Sequence, residues 1–247
     1  MKKTKIVVPF SGGMDSTVIL HRAIKEVGAE NVHCLTYDYN QRHRNEIAAA
    51  MWYAQHVKVG ELLVIDVSFI RDLAPVSSLT NDNIPTPDVR QVAGEAQPKS
   101  YVPNRNMIFL SIAASYAESI GAHKVYHGAT KVDSLAGYWD ASPEFLPNIN
   151  DVLALNRENR ITVEAPLIEM DKADIVKEGV KLGVLFSKTY TCYSGEQKAD
   201  ANSVSSALRI KGFANAGYID PQPYKQDLSD VWKKYKCRKI EYDHYND

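Results

Sequence analysis

The sequence predicts an α/β protein: a parallel sheet with helices on both faces, followed by a small helical region at the C-terminal end. Three observations carry this. Short apolar runs alternate with amphipathic runs from Lys5 to Val67, the pattern of successive β-α units. A glycine turn joins the first apolar run directly to the first helical one. The chain has 247 residues, 45% hydrophobic and 24% charged, enough for one sizeable core.

The elements follow in order. Lys5 to Phe10 (KIVVPF) reads as the first strand, and a helix runs on through Thr17, Val18, Ile19 and Leu20. Val32 to Tyr37 is the second strand, Glu46 to Val57 a helix and Glu61 to Val67 the third strand. Leu73 to Lys99 is rich in Pro, Ser, Asn and Asp with almost no period, so a long surface loop is expected. Arg105 to Ile120 is a strongly apolar helix, and Lys124 to Gly128 a strand. Gly137 to Pro147 is turn-rich, and Ile161 to Ala165 is a short strand. Asp171 to Leu182 is a helix with Asp171 as its N-cap and Gly183 as its stop. Pro221 and Pro223 precede an aromatic and basic helix near Val231. We place the α/β domain at residues 1–186 and the helical region, packed on the same domain, at 187–247.

Composition excludes several classes. A net charge of −1 argues against a wholesale nucleic-acid binder. No stretch approaches a transmembrane span, and the lysine-rich start lacks the apolar centre of a signal peptide. Cys34, Cys192 and Cys237 form no close pair, which fits a cytoplasmic protein with free thiols.

The chemistry concentrates in Ser11-Gly12-Gly13-Met14-Asp15-Ser16, between the first strand and first helix. Backbone amides at such a turn can wrap a phosphate, and two glycines let the anion approach closely. An acid in an anion nest makes sense if a divalent cation joins it to the phosphates. No Gly-Lys-Ser/Thr triplet occurs, so this is not a Walker loop. The run resembles the SGGxDS signature of the PP-loop ATP pyrophosphatases. That resemblance implies cleavage of ATP between its α and β phosphates, activating a carboxylate or carbonyl oxygen as an adenylate.

Further stretches narrow the resemblance. Asp38-Tyr39-Asn40-Gln41-Arg42-His43 with Glu46 follows the second strand, and Val102-Pro103-Asn104-Arg105-Asn106 precedes the apolar helix. Gly128, Asp133, Gly137, Tyr138 and Asp140 follow the fourth strand, and Ala165-Pro166-Leu167 leads to Lys172. Thr191-Cys192-Tyr193 comes before Arg209, Gly212-Phe213, Ala216-Gly217 and Asp220-Pro221. Together they resemble the 7-cyano-7-deazaguanine synthases, the QueC family, from about Lys5 to Pro221. The resemblance implies a Rossmann-like sheet of the PP-loop type and a homodimer. It also implies conversion of 7-carboxy-7-deazaguanine, with ATP, magnesium and ammonia, first to the amide and then to the nitrile.

Carried onto this chain, the resemblance puts nucleotide binding at Phe10, the Ser11 to Ser16 loop, Tyr37, Arg42, His43 and Gly128. It puts catalysis at Asp15, Arg105 and Lys172, with Asp15 also holding magnesium. Substrate would meet Arg105, Asp133, Tyr138 and Asp140. Each has a plainer alternative. Arg42 and His43 can be a polar strand end, and Arg105 a helix-start surface residue. Asp133 and Asp140 can be ordinary turn residues, or one of them can read a guanine-like edge. Lys172 can be a surface charge or can neutralise phosphate.

Two departures stand out. The family carries four cysteines around a structural zinc; here Cys192 alone remains, and the other positions fall at Asp200, Ser203 and Ser206. Serines replace thiolates poorly, so zinc is not expected. The family's YPDCRxxF becomes Tyr138-Trp139-Asp140-Ala141-Ser142 followed by Phe145, and Asn104 stands where glycine is usual. A variant stopping at the amide, or coupling a deazaguanine to another acceptor, therefore stays open. So does a non-catalytic nucleotide-binding scaffold. A transfer-RNA thiolase is disfavoured by the lack of CxxC and the near-neutral charge, and an NAD or GMP synthetase by the Asp38–His43 and Thr191–Tyr193 stretches.

Overall fold

Apolar residues in the strands alternate between two buried layers, the outcome expected when both faces of a sheet are covered. Ile6, Val8 and Cys34 enter one core cluster, while their neighbours Val7 and Leu35 enter the other. The structure is a computed structural model that describes residues 4–39, 44–81, 83–84, 99–190 and 198–243. Its five strands are β1 (Ile6–Pro9), β2 (Val32–Asp38), β3 (Glu61–Asp66), β4 (Lys124–Tyr126) and β5 (Thr162–Glu164). They pair in parallel in the order β3-β2-β1-β4-β5. Strand order therefore reverses between β1 and β4, which opens a crevice at their carboxyl ends.

One face carries α1 (Met14–Val27), α2 (Arg44–Val57) and α7 (Lys172–Leu182); Val18, Ala50 and Val176 belong to its cluster. The other carries α4 (Arg105–Ser119) and α6 (Phe145–Leu153), through Leu110, Ala113, Phe145 and Ile149. The short α3 (Ile70–Leu73) and α5 (Lys131–Leu135) lie in connections. α8 (Val204–Ala216) and α9 (Ser229–Lys234) belong to the C-terminal region. Phe213 and Ile240 of that region are buried in the same cluster as Val18 and Val176.

Asp171 caps α7 by accepting from the Asp174 amide at 2.9 Å, and Gly183 ends it at φ 74°. The stretch read as turn-rich instead contains the start of α6, with Pro147 in its first turn. Proline is tolerated there because the first amides of a helix have no intrahelical partner, so it marks no break. The loop expectation for Leu73 to Lys99 also changes. Ser77, Ser78 and Thr80 are buried. The Thr80 hydroxyl donates to the Ala74 carbonyl, and the Ser78 amide reaches the Lys99 carbonyl at 2.9 Å. These stems are packed, while residues 85–98 lie outside the described part.

Candidate active site

The crevice at the β1/β4 reversal holds a cleft of about 340 Å³. Phe10 follows β1 into it, Thr36 and Tyr37 end β2 there, and His127 and Gly128 follow β4. The sheet's topology thus delivers side chains from three strands to one place.

The glycine turn is fixed by its own hydroxyls. Ser16 Oγ donates to the Gly13 carbonyl at 3.1 Å, Thr17 Oγ1 to the same carbonyl at 2.8 Å, and Ser11 Oγ lies 3.0 Å from Ser16 Oγ. Gly12 sits at φ +76°, where a Cβ would come 2.7 Å from the Ala50 amide and 2.8 Å from the Glu46 carbonyl. Only glycine fits, so the loop is pressed against α2. Its carbonyl accepts from the Tyr190 amide at 3.1 Å. Gly13 occupies the α1 N-cap without a side chain, and Gly13, Met14, Asp15 and Ser16 all line the cleft.

Asp15 and Lys172 come together at 2.7 Å. Burial works against the Lys172 ammonium, yet the Asp15 and Asp133 carboxylates outweigh it and hold the group above its ordinary value. Lys172 is therefore a largely buried, charged partner of the loop and not a surface charge. It rests on α8, because a Cβ at Gly212 would meet Lys172 Cβ at 2.7 Å. α8 is itself anchored by the buried Arg209, whose Nε and Nη2 grip Asp220 at 2.8 and 2.9 Å. Thr189 Oγ1 and the Phe186 carbonyl take two further Arg209 donors at 2.8 and 3.1 Å.

The opposite wall comes from α4 and β2. Arg105, Asn106 and Phe109 line the cleft. The Tyr37 ring stacks on Phe109 at 4.0 Å between centroids, and its hydroxyl is used by the Phe109 carbonyl at 2.7 Å. Arg105 is hydrogen-bonded to the Tyr39 phenol. Burial pushes Glu46 up to about 8 against the pull of Arg105.

Of the residues expected to meet substrate, Asp133 and Tyr138 line the cleft. Asp133 is also a turn residue in the plain sense, since its Oδ2 accepts from Thr130 N and Oγ1 at 2.9 and 2.7 Å. Asp140 is placed differently: it is 1% exposed, and its carboxylate accepts from the Asn106 amide at 3.0 Å and Asn106 Nδ2 at 3.2 Å. Arg42, His43 and Cys192 lie outside the described residues. Sequence reasoning passed over His127, a cleft residue whose pKa burial lowers. Its position at the end of β4, beside Gly128, was the available signal.

Two metals follow from the resemblance. Asp15 Oδ1 is buried and has no hydrogen-bond partner, a rare condition that suits a cation ligand. Magnesium commonly uses one or two carboxylates plus phosphate oxygens and water, so Asp15 fits it. The zinc positions do not fit. Asp200 Oδ1 already accepts from the Asn202 amide and Gln226 Nε2, each at 2.9 Å. Ser203 caps α8 by accepting from the Ser206 amide at 3.3 Å, and its Oγ donates to Ser206 Oγ at 2.9 Å. Cys34 is buried in β2 within the sheet core. Cys237 touches the Ala214 carbonyl, roughly 16 Å along the helix from Ser203. Among the described residues no group of three His, Cys, Asp or Glu side chains is arranged to hold a metal.

A parallel sheet with an SGGxDS loop at its reversal point defines an α/β nucleotide-binding protein of the PP-loop type. The family model "Queuosine biosynthesis protein QueC" matches residues 5–217, and the chain belongs to that family. It is 40% identical to 7-cyano-7-deazaguanine synthase 1 of Colwellia psychrerythraea, over 90% of this chain and 99% of that protein. It is 41% identical to the 7-cyano-7-deazaguanine synthase of Oceanobacillus iheyensis, over 91% of this chain and all of that protein. The Thermoplasma acidophilum protein of that name is 40% identical, over 92% and 94%. No helix among the described residues is long and apolar enough to cross a membrane.

Proposed function

We propose that the protein uses ATP and ammonia to convert 7-carboxy-7-deazaguanine to 7-cyano-7-deazaguanine. The observation that carries this is the Ser11–Ser16 loop, with the orphaned Asp15 oxygen and the Lys172 ammonium beside it. Full-length similarity to proteins named for that product supports the same substrate.

In this reading the loop amides and serine hydroxyls bind the leaving pyrophosphate, and Lys172 neutralises charge there. Asp15 would hold magnesium, which supplies charge neutralisation between the phosphates when bound. Arg105 holds the carboxylate, offsetting the repulsion between two anions brought together. The carboxylate oxygen attacks the α-phosphorus, and the bond to pyrophosphate breaks. Ammonia then displaces AMP from the acyl carbon and loses a proton, leaving the amide. The amide oxygen then attacks the α-phosphorus of a second ATP, and pyrophosphate leaves again. AMP departs with that oxygen, the nitrogen gives up its protons, and the nitrile remains. The aromatic wall of Tyr37 and Phe109 gives a flat heterocycle an apolar surface and excludes water.

The test is mass spectrometry of protein with 7-carboxy-7-deazaguanine, ATP, magnesium and ammonium, with pyrophosphate release followed in parallel. Nitrile formed by the wild type and lost in Asp15→Ala is expected. Amide alone would identify a reaction that stops halfway. Nucleotide binding with neither product nor pyrophosphate would favour a scaffold.

A further inference from the structure

The first turn of α4 lacks a cap of its own. Asn104, at the N-cap, is held at φ 56° in the left-handed region, and its side chain caps nothing. The first amides of a helix need acceptors, and a carboxylate is the strongest of them. Here the carboxylate comes from 34 residues away. Asp140 accepts from both the Asn106 amide and the Asn106 side chain. The Asp140 carbonyl lies 3.2 Å from His127 Nε2, so the same residue holds the end of β4.

A second tie runs alongside. Trp139 Nε1 donates to Tyr101 Oη at 2.8 Å, and the Asn104 amide donates to the same oxygen at 3.3 Å. Asn104 and Trp139, both departures from the family pattern, therefore meet on one phenol. The Trp139–Ala141 turn clips the start of α4 at two points. Between those points lies Arg105, on the cleft wall.

We propose that Asp140 is a positioning residue: it caps α4 across the fold and, through Asn106, sets Arg105 against the carboxylate of the substrate. Trp139 is the second half of the clip. This rests on the reading of Arg105 given above, and it moves Asp140 from a residue that reads the heterocycle to one that acts through its neighbour. A displaced guanidinium weakens the hold on the carboxylate while leaving the phosphate loop, whose own hydrogen bonds do not involve Asp140, as it was.

The test compares Asp140→Ala, Asp140→Asn, Asn106→Ala and the double variant Asp140→Ala/Asn106→Ala. Asp140→Ala is expected to lower kcat/KM for the carboxylate by on the order of 10- to 100-fold, with KM for ATP unchanged within about 2-fold. Asp140→Asn keeps one acceptor oxygen and recovers part of the loss. The double variant should be no worse than Asp140→Ala, because Asn106→Ala removes only the side-chain half of a link that Asp140→Ala removes whole. Losses that multiply would show that Asp140 and Asn106 act independently of one another and would overturn the proposal. Equal damage to both substrates, tracking a fall in Tm, would reduce Asp140 to a structural residue and overturn it too. Amide hydrogen exchange at Asn106 needs no substrate. Faster exchange in Asp140→Ala supports the cap, and unchanged exchange refutes it. If exchange responds while the wild type turns nothing over, the cap stands and the assignment of Arg105 falls.

Discussion

Two helix starts in this molecule are built from the same materials and end in opposite states. The start of α1 has Ser11, Ser16 and Asp15; the start of α8 has Ser203, Ser206 and Asp200. At α8 these three side chains are paired within the chain: Ser203 caps the helix, its hydroxyl feeds Ser206, and Asp200 takes the Asn202 amide and Gln226. At α1 the cap is a bare glycine, and one Asp15 oxygen is buried without a partner. Leaving a buried acceptor unpaired costs about 1–3 kcal/mol, more when charged. Under the proposed function that cost is offset when ligand binds at the α1 start. Composition does not separate a ligand site from a structural knot; the accounting of hydrogen bonds does.

The largest effect should come from the incomplete start. Asp15→Ala is expected to lower turnover by on the order of a thousandfold, the scale seen when a preorganised charge-stabilising group is removed. Retention of more than about a tenth of wild-type turnover would erase the functional distinction between the two helix starts. Pyrophosphate release measures it directly.

The complete side is probed through its anchor. Asp220 accepts from Arg209, the Gln222 amide and Tyr224 Oη, and both members of the ion pair are buried. Asp220→Ala strands the guanidinium and should cost about 3–5 kcal/mol in urea unfolding. Because α8 supports Lys172, turnover of the folded fraction should fall as well. Ser203→Ala removes only the cap and is expected to cost about 1 kcal/mol. A Ser203→Ala loss as large as that of Asp220→Ala would mean that the serine knot does more than cap a helix.

Much of the fold was legible in the sequence because it rests on local patterns. Alternating runs, the Gly12-Gly13 turn, and Asp171 and Gly183 around α7 are all written within a few residues of where they act. The loop half of the site was legible for the same reason. What sequence left open was set by contacts between distant segments. Lys172 had two equal readings until α8 pressed it onto Asp15, 157 residues away. Asp140 belongs to a turn, but its carboxylate serves a helix 34 residues earlier. α6 was hidden by a proline whose position in the first turn is harmless.

Glu46 gives a smaller, pH-dependent contrast on the α2 side of the cleft. Burial raises its pKa from 4.5 to about 8, with Arg105 pulling the other way. Between those values the folded protein binds the proton more readily than the unfolded chain. Stability from this group is therefore present at low pH and declines as pH rises from about 4.5 to about 8. Glu46→Gln, which cannot ionise, should flatten that part of the Tm profile. An unchanged slope would show that the folded carboxyl titrates near its ordinary value.

The smallest expected effect is the sharpest on the comparison itself. If the α8 start is complete without metal, prolonged EDTA treatment should leave Tm unchanged, and purified protein should contain well under one equivalent of zinc. The same chelator should stop turnover through the α1 site, and added magnesium alone should restore it. A thiolate cage is itself folding free energy, so a zinc-held α8 would melt on chelation. Hydrogen bonds among Asp200, Ser203, Ser206 and Gln226 need no ion and would not respond. Stoichiometric zinc with a chelation-dependent drop in Tm would mean that both helix starts are completed from outside, and that the serines at α8 hide a metal site.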